Sequence, residues 1–171
     1  MKTLIISSSL SPQSRSFILC KNIEKMLIAK QVSVEIIDAR KIDLKPHHNT
    51  PTESMINLKE KIKECDNLIF GMGVHCYSIN DSLKIILDNC LEKATGKFFG
   101  ILCSAGGEKS YLSTIHLTQI CMNESRMIQL PRIVYATKNE FNEDVILNND
   151  LIKRMELFSE EFYTIGKKLI A

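Results

Sequence analysis

The segment Ser7-Ser8-Ser9-Leu10-Ser11-Pro12-Gln13-Ser14-Arg15-Ser16 has the composition of an anion cradle. Small hydroxyl residues let the backbone come close to a ligand and supply donors, and Arg15 adds a fixed positive charge. An apolar run, Thr3-Leu4-Ile5-Ile6, precedes it, and a helical pattern begins near Ser14 or Arg15. The expected order is therefore strand, loop, helix. A helix N-terminus carries unpaired N–H groups and roughly +0.5 of a charge, which suits a phosphate. Serines before a helix also act as caps and turn formers, so taken alone this loop leaves both readings open.

The rest of the chain must supply companions to it. Phe17, Ile18, Ile23, Met26 and Leu27 recur at helical spacing as far as about Lys30, and Val32–Ile37 alternates as a second strand, nearer an edge. Residues 38–52, with Pro46, His47, His48 and Pro51, read as a long surface loop. A helix over Glu53–Cys65 follows behind a Thr52 cap, and a third, central strand covers Asp66–Met72. Gly73–Asn80 reads as a loop leading into a helix over Asp81–Lys93, whose apolar face is Leu83, Ile86, Leu87, Cys90 and Leu91. Lys97–Cys103 is a fourth buried strand, Glu108–Met122 a helix, Arg126–Ala136 holds a fifth strand around Ile133, Val134 and Tyr135, and Asn149–Leu169 is a closing amphipathic helix.

Five strands alternating with helices call for a parallel sheet between two helical layers, a three-layer α/β sandwich. The expected strand order is 2-1-3-4-5, the flavodoxin-like arrangement, in which ligands sit at the carboxyl edge beside the switch point between strands 1 and 3. The loops meeting there are Ser7–Ser16, Gly73–Asn80 and Ser104–Glu108. All three are rich in small or hydroxyl residues, which strengthens the ligand reading of the first.

Composition bounds the rest. At 171 residues, 44% hydrophobic and 25% charged, the chain is expected to form one domain over residues 1–171. A formal charge of +2 and no Lys/Arg block argue against nucleic acid as a partner. No apolar run reaches membrane-spanning length, and no basic segment followed by a long apolar core opens the chain, so the expected location is the cytoplasm. The six cysteines are scattered without a Cys-x-x-Cys, which points to reduced thiols, with Cys76 in an exposed loop. No third metal ligand lies near His47 and His48 in sequence, and none is expected to bind a metal.

Ser8-Ser9-Leu10-Ser11-Pro12-Gln13-Ser14-Arg15-Ser16 resembles the Gly-Ser-x-Arg-x-x-Ser phosphate loop of the NADPH-dependent FMN reductases, particularly the Ser-Arg-Ser form found in reductases serving sulfonate monooxygenases. Ser9 and Ser14 match, Ser8 stands where Gly is common, and Ser11 where Arg is common. Val74-His75-Cys76-Tyr77-Ser78 and the residues through Asp88 are similar to the family's Pro-x-Tyr-x-x-Ser-x-x-Gly-x-Leu-Lys-x-x-x-Asp segment. Ser78, Leu83, Lys84 and Asp88 coincide, while Gly73, His75 and Asp81 replace proline, tyrosine and glycine. Gly96-Lys97, Gly106-Gly107 and Leu130–Ala136 are similar as well.

The resemblance implies an NAD(P)H-dependent FMN reductase whose chemistry is centred on the flavin, with no catalytic side chain. It places the FMN phosphate on Ser9, Ser11, Ser14, Arg15 and Ser16. The ring would lie between Val74, His75, Cys76, Tyr77 and Ser78 on one side and Ser104, Ala105, Gly106 and Gly107 on the other. NADPH or NADH would be the donor and a flavin-dependent monooxygenase a possible partner. The family's homodimers or homotetramers form through helices beside the flavin loop, for which the face from Leu83 to Leu91 is a candidate. An FMN-containing reductase of quinones, azo dyes or other small acceptors fits the same residues. So does a non-catalytic flavodoxin-like electron-transfer or dimerising module, although a sequence pI near 8.2 argues against a strongly acidic carrier.

Overall fold

A computed structural model describes residues 1–143 and 145–170. The elements are β1 (Lys2–Ser7), α1 (Arg15–Ile28), β2 (Ser33–Asp38), α2 (Glu53–Glu64), β3 (Asn67–His75), β4 (Ser78–Ile79), α3 (Asp81–Cys90), β5 (Phe98–Ala105), α4 (Ser113–Glu124), β6 (Ile128–Gln129), β7 (Val134–Thr137), β8 (Phe141–Asn142), β9 (Val145–Ile146) and α5 (Asn149–Leu169). The sheet runs β2-β1-β3-β5, with β6 and β7 both pairing to β5, and every one of these ladders is parallel. The expected 2-1-3-4-5 order holds. The fifth strand comes in two pieces, separated by Leu130–Ile133; Pro131 in that interval cannot donate to a ladder.

The central strands are buried on both faces, and their alternation divides the core in two. Leu4, Ile6, Leu68, Phe70, Met72, Ile101 and Cys103 join α2, α3 and α4 residues such as Met55, Leu58, Ile86 and Leu117. Ile5, Ile69 and Leu102 point the other way, onto Leu19, Ile23 and Leu27 of α1 and Leu151, Met155, Phe158 and Phe162 of α5. Two glycines permit this close approach. A Cβ at Gly71 would collide with Cys20 Sγ, and one at Gly100 would lie 2.5 Å from Phe158 Cζ.

Three expectations are corrected. Gly73–Asn80 is largely not a loop: β3 continues to His75 and turns back antiparallel as β4, pairing Val74 with Ile79 and His75 with Ser78. The helix expected from Glu108 begins at Ser113, after a 3-10 turn over Glu108–Ser110. Leu83, Ile86, Leu87, Cys90 and Leu91 are at most 5% exposed in the core beneath α3, so they cannot form a subunit contact. Packing the sheet consumes that face entirely. The β8–β9 hairpin had no counterpart in the sequence reading. No described helix is long and apolar enough to cross a membrane, and no cluster of three or more His, Cys, Asp or Glu suited to a metal occurs among the described residues.

Cys76 is exposed and the other five thiols are buried. Burial pushes Cys20, Cys103 and Cys121 up to about 12 and Cys65 and Cys90 up to about 11. Since the thiolate is the reactive form, a chromogenic thiol reagent at pH 8 should titrate one fast equivalent from the native protein. A Cys76→Ser variant should show none until it is unfolded.

Candidate functional site

The sheet registers bring four strand ends together at one edge. Ser7 pairs with Gly71, Gly73 with Ser104, and Ala105 with Thr137. The three expected loops therefore converge. A fourth, Thr137–Asn139 after β7, joins them; its sequence signal, a Thr137-x-x-Glu140 capping box, went unused.

In the first loop the residues divide by exposure. Ser14 is the N-cap of α1: its Oγ accepts from the Phe17 N–H at 3.1 Å and lies 3.0 Å from Ser16 Oγ. Both hydroxyls are buried, so Ser16 can meet a ligand through its backbone rather than its side chain. Ser11 and Arg15 are exposed and Ser9 is partly so, with Ser9 Oγ accepting from the Ser11 N–H at 3.3 Å. Among the described residues, no acceptor in the protein takes the Arg15 or Ser16 N–H, and no carboxylate pairs with Arg15. The first turn of α1 contains no acidic residue. An acid there would be the ordinary way to satisfy the helix end; without one, the positive terminus could accept an anion from outside the chain.

The loop is also braced from outside. Arg40, in the turn after β2, donates from Nη1 to the Pro12 carbonyl at 3.2 Å and lies over the Phe17 ring at 4.6 Å. A bidentate pair with Asp38 holds it, at 2.8 Å from Nε to Oδ1 and 2.7 Å from Nη2 to Oδ2. Partial burial alone would raise the Asp38 carboxyl, but the Arg40 hydrogen bonds and charge outweigh it and hold the group below its ordinary value. Its folded-state value therefore lies below its unfolded one. The pair stabilises the fold above the ordinary carboxylate range, and this contribution fades as pH falls through the depressed value. The gap in thermal stability between the protein and its Asp38→Asn variant should be full at pH 7 and close below about pH 4.

The hairpin supplies the second wall. Cys76 and Tyr77 both have positive φ, 47° and 61°, and Tyr77 is 64% exposed at the tip. His75 Nδ1 lies 3.6 Å from Asp81 Oδ1, both in solvent. Ser78 Oγ lies 2.9 Å from His116 Nδ1, which ties β4 to α4. Val74 packs its side chain against the core, so only its backbone is left to meet a ligand. Lys84 and Asp88, matching positions of the family segment, form an exposed i,i+4 pair.

The third wall is Ser104–Gly107. A Cβ at Gly73, Gly106 or Gly107 would meet no protein atom within 4 Å, so these backbones are bare on the side a ligand would approach. Tyr135, unassigned from sequence, donates from its hydroxyl to the Gly107 carbonyl at 2.6 Å, and its ring meets Tyr111 edge-on at 5.2 Å. Arg154 of α5 in turn donates to the Tyr135 carbonyl at 2.8 Å. Between the hairpin tip and this turn lies a cleft of about 460 Å³, bounded by Tyr77, Gly107, Glu108, Ser110, Thr137 and Asn139. A larger groove of about 1250 Å³ follows α3 and α4, reaching from Ser78 and His116 to Ser125. The cleft, and not the groove, is lined by both the hairpin tip at Tyr77 and the turn at Gly107.

The model of the NADPH-dependent FMN reductase family matches residues 1–142. No curated protein matches the chain by sequence. Among solved structures, an NADH:FMN oxidoreductase in its apo form superposes with a TM-score of 0.82 at 16% identity, covering 95% of this chain and 88% of that one. FerB, a flavoenzyme NAD(P)H:(acceptor) oxidoreductase from Paracoccus denitrificans, gives 0.78 at 17% identity, covering 98% and 97%. RosB, solved with 8-demethyl-8-formylriboflavin-5'-phosphate, gives 0.84 at 12% identity, covering 99% and 80%. At these identities the structural likeness establishes the fold.

Proposed function

The chain belongs to the NADPH-dependent FMN reductase family, and from that premise we propose that it binds FMN across the carboxyl edge of the sheet and reduces it with a nicotinamide nucleotide, NADPH or NADH. The observation that carries this reading is one edge holding both an acid-free serine loop on a helix N-terminus and the bare backbones of Gly73 in β3 and of Gly106 and Gly107 just after β5.

The residues fit the cofactor. The hydroxyls of Ser11 and of the partly exposed Ser9, the Arg15 guanidinium and the N–H groups of Arg15 and Ser16 would hold the phosphate, with the buried Ser14 hydroxyl beneath it as the α1 cap. Charge-assisted hydrogen bonds and the helix dipole offset its desolvation. The backbone of Val74–Ser78 would face one side of the ring. The N–H groups of Ser104–Gly107, held in place by the Tyr135 hydroxyl, would face the pyrimidine edge. FMN, when bound, supplies the hydride chemistry. The protein's part is to bind, orient and leave one ring face open to the nicotinamide at the Tyr77 cleft. No titrating side chain is asked to act.

We assign FMN the role of exchangeable substrate, because the site is an open edge with an exposed hairpin tip. Initial rates of NADPH oxidation should then rise hyperbolically with free FMN. A rate independent of added FMN, with turnover set by a quinone or azo acceptor, would assign it instead as a resident cofactor. The proposed assembly is a cytoplasmic homodimer. With the inner face of α3 buried, the apolar strip we assign to the contact is Leu112, Ile115 and Met122, all exposed, along α4. These share one helical face, and glutamate at Ile115 should shift the protein to monomer in sedimentation.

A further inference from the structure

We infer that Asn80 is the positioning residue that locks the phosphate loop to the flavin-ring hairpin; this rests on the FMN reading above. The Asn80 side chain is 1% exposed and has a polar partner within reach of each of its bonding positions. Its Oδ1 faces Ser8 Oγ at 2.9 Å and the Gly73 N–H at 3.3 Å, while Nδ2 donates to the Ser8 carbonyl at 3.1 Å and to Ser82 Oγ at 2.7 Å. The Ser82 hydroxyl spends its own hydrogen on the same Ser8 carbonyl, at 2.6 Å. Only one orientation of the amide satisfies this set. Inverted, the NH2 group would face the Gly73 N–H and the amide oxygen would face the Ser8 carbonyl.

The place of these bonds matters more than their number. Ser8 directly precedes Ser9 and opens the phosphate loop. Its N–H donates to the Gly71 carbonyl at 2.8 Å, and its single hydroxyl hydrogen has that carbonyl, also at 2.8 Å, and Asn80 Oδ1 as alternative acceptors. Gly73 is where β3 leaves the sheet for the hairpin. One carboxamide therefore spans from the loop after β1 to the hairpin after β3, across the switch point between them. Asn80 has N-cap backbone geometry on α3, a position where asparagine ordinarily bonds its own helix. Ser14, Thr52 and Asn148 do so on α1, α2 and α5, and Asn80 does not. The Ser82 N–H is served by Asp81 Oδ1 at 2.9 Å instead. The side chain caps no backbone N–H of α3, touching that helix through the Ser82 hydroxyl alone, and joins the two loops.

Phosphate anchoring then sets where the ring lies, and the benefit of the phosphate depends on a residue that never touches it. The test measures dissociation constants for FMN and riboflavin by flavin fluorescence on the protein, its Asn80→Ala, Ser82→Ala and Arg15→Ala variants, and Asn80→Ala combined with Arg15→Ala. The preference for FMN over riboflavin should fall about tenfold in Asn80→Ala, and less, in the same direction, in Ser82→Ala. The double variant should lose less than the sum of its parts, because both changes act on one phosphate. A merely structural role would lower the melting temperature and leave the preference intact. An unchanged preference in Ser82→Ala and in folded Asn80→Ala, or strict additivity with Arg15→Ala, overturns the inference while leaving the FMN reading standing. A wild-type protein that binds FMN no better than riboflavin overturns the phosphate site itself.

Discussion

Replacing Arg15 by alanine is expected to weaken FMN binding roughly 10- to 100-fold, the equivalent of a charge-assisted hydrogen bond of about 1.5–3 kcal/mol, and to leave riboflavin binding unchanged. The side chain is exposed and pairs with no carboxylate among the described residues, so the fold asks nothing of it. Its melting temperature should stay that of the wild type. Ser14→Ala separates two roles that share one atom. The Ser14 hydroxyl caps α1, so its loss should cost about 1 kcal/mol of stability in addition to weakening FMN. Riboflavin lacks only the phosphate, and equal losses for both ligands in Arg15→Ala would remove the phosphate from this loop.

Phe158→Ala should be the most damaging change away from the site, at about 3–5 kcal/mol. The Phe158 ring is fully buried, stacks on Phe162 at 5.9 Å, and occupies the space that Gly100 leaves by having no side chain. Alanine there opens a cavity that the sheet backbone cannot fill. A melting temperature lower by roughly 6–20 °C follows for a chain of this size. Riboflavin and FMN affinities measured well below that midpoint should be little altered, because α5 packs on the face of the sheet rather than at its carboxyl edge. A shift under 2 °C would mean that α5 is not docked as described.

The fold was legible where burial repeats. The runs of β1, β3 and β5 alternate onto two core clusters, and the bounds of α5, Asn149–Leu169, match the amphipathic pattern residue for residue. Short pieces were not legible. β4 has two residues, and the turn before it places Cys76 and Tyr77 at positive φ, where glycine or asparagine would have announced a hairpin. The place of the serine loop between β1 and α1 was readable because composition, order and the Ser14 cap all lie within ten residues. Asn80, Arg40 and Tyr135 were not, since each acts across a distance in sequence, on Ser8, Pro12 and Gly107. Leu83–Leu91 shows the reverse error. An apolar helix face signals burial without saying whether the sheet or a second subunit supplies it.

The most direct measurement is the visible spectrum of the purified protein titrated with FMN, followed by NADPH and NADH consumption in the same cuvette. The expected result is a saturable perturbation of the flavin bands and nicotinamide oxidation that requires FMN. A protein that neither perturbs FMN nor oxidises either nucleotide in its presence would contradict the assignment of this sheet edge as a flavin site.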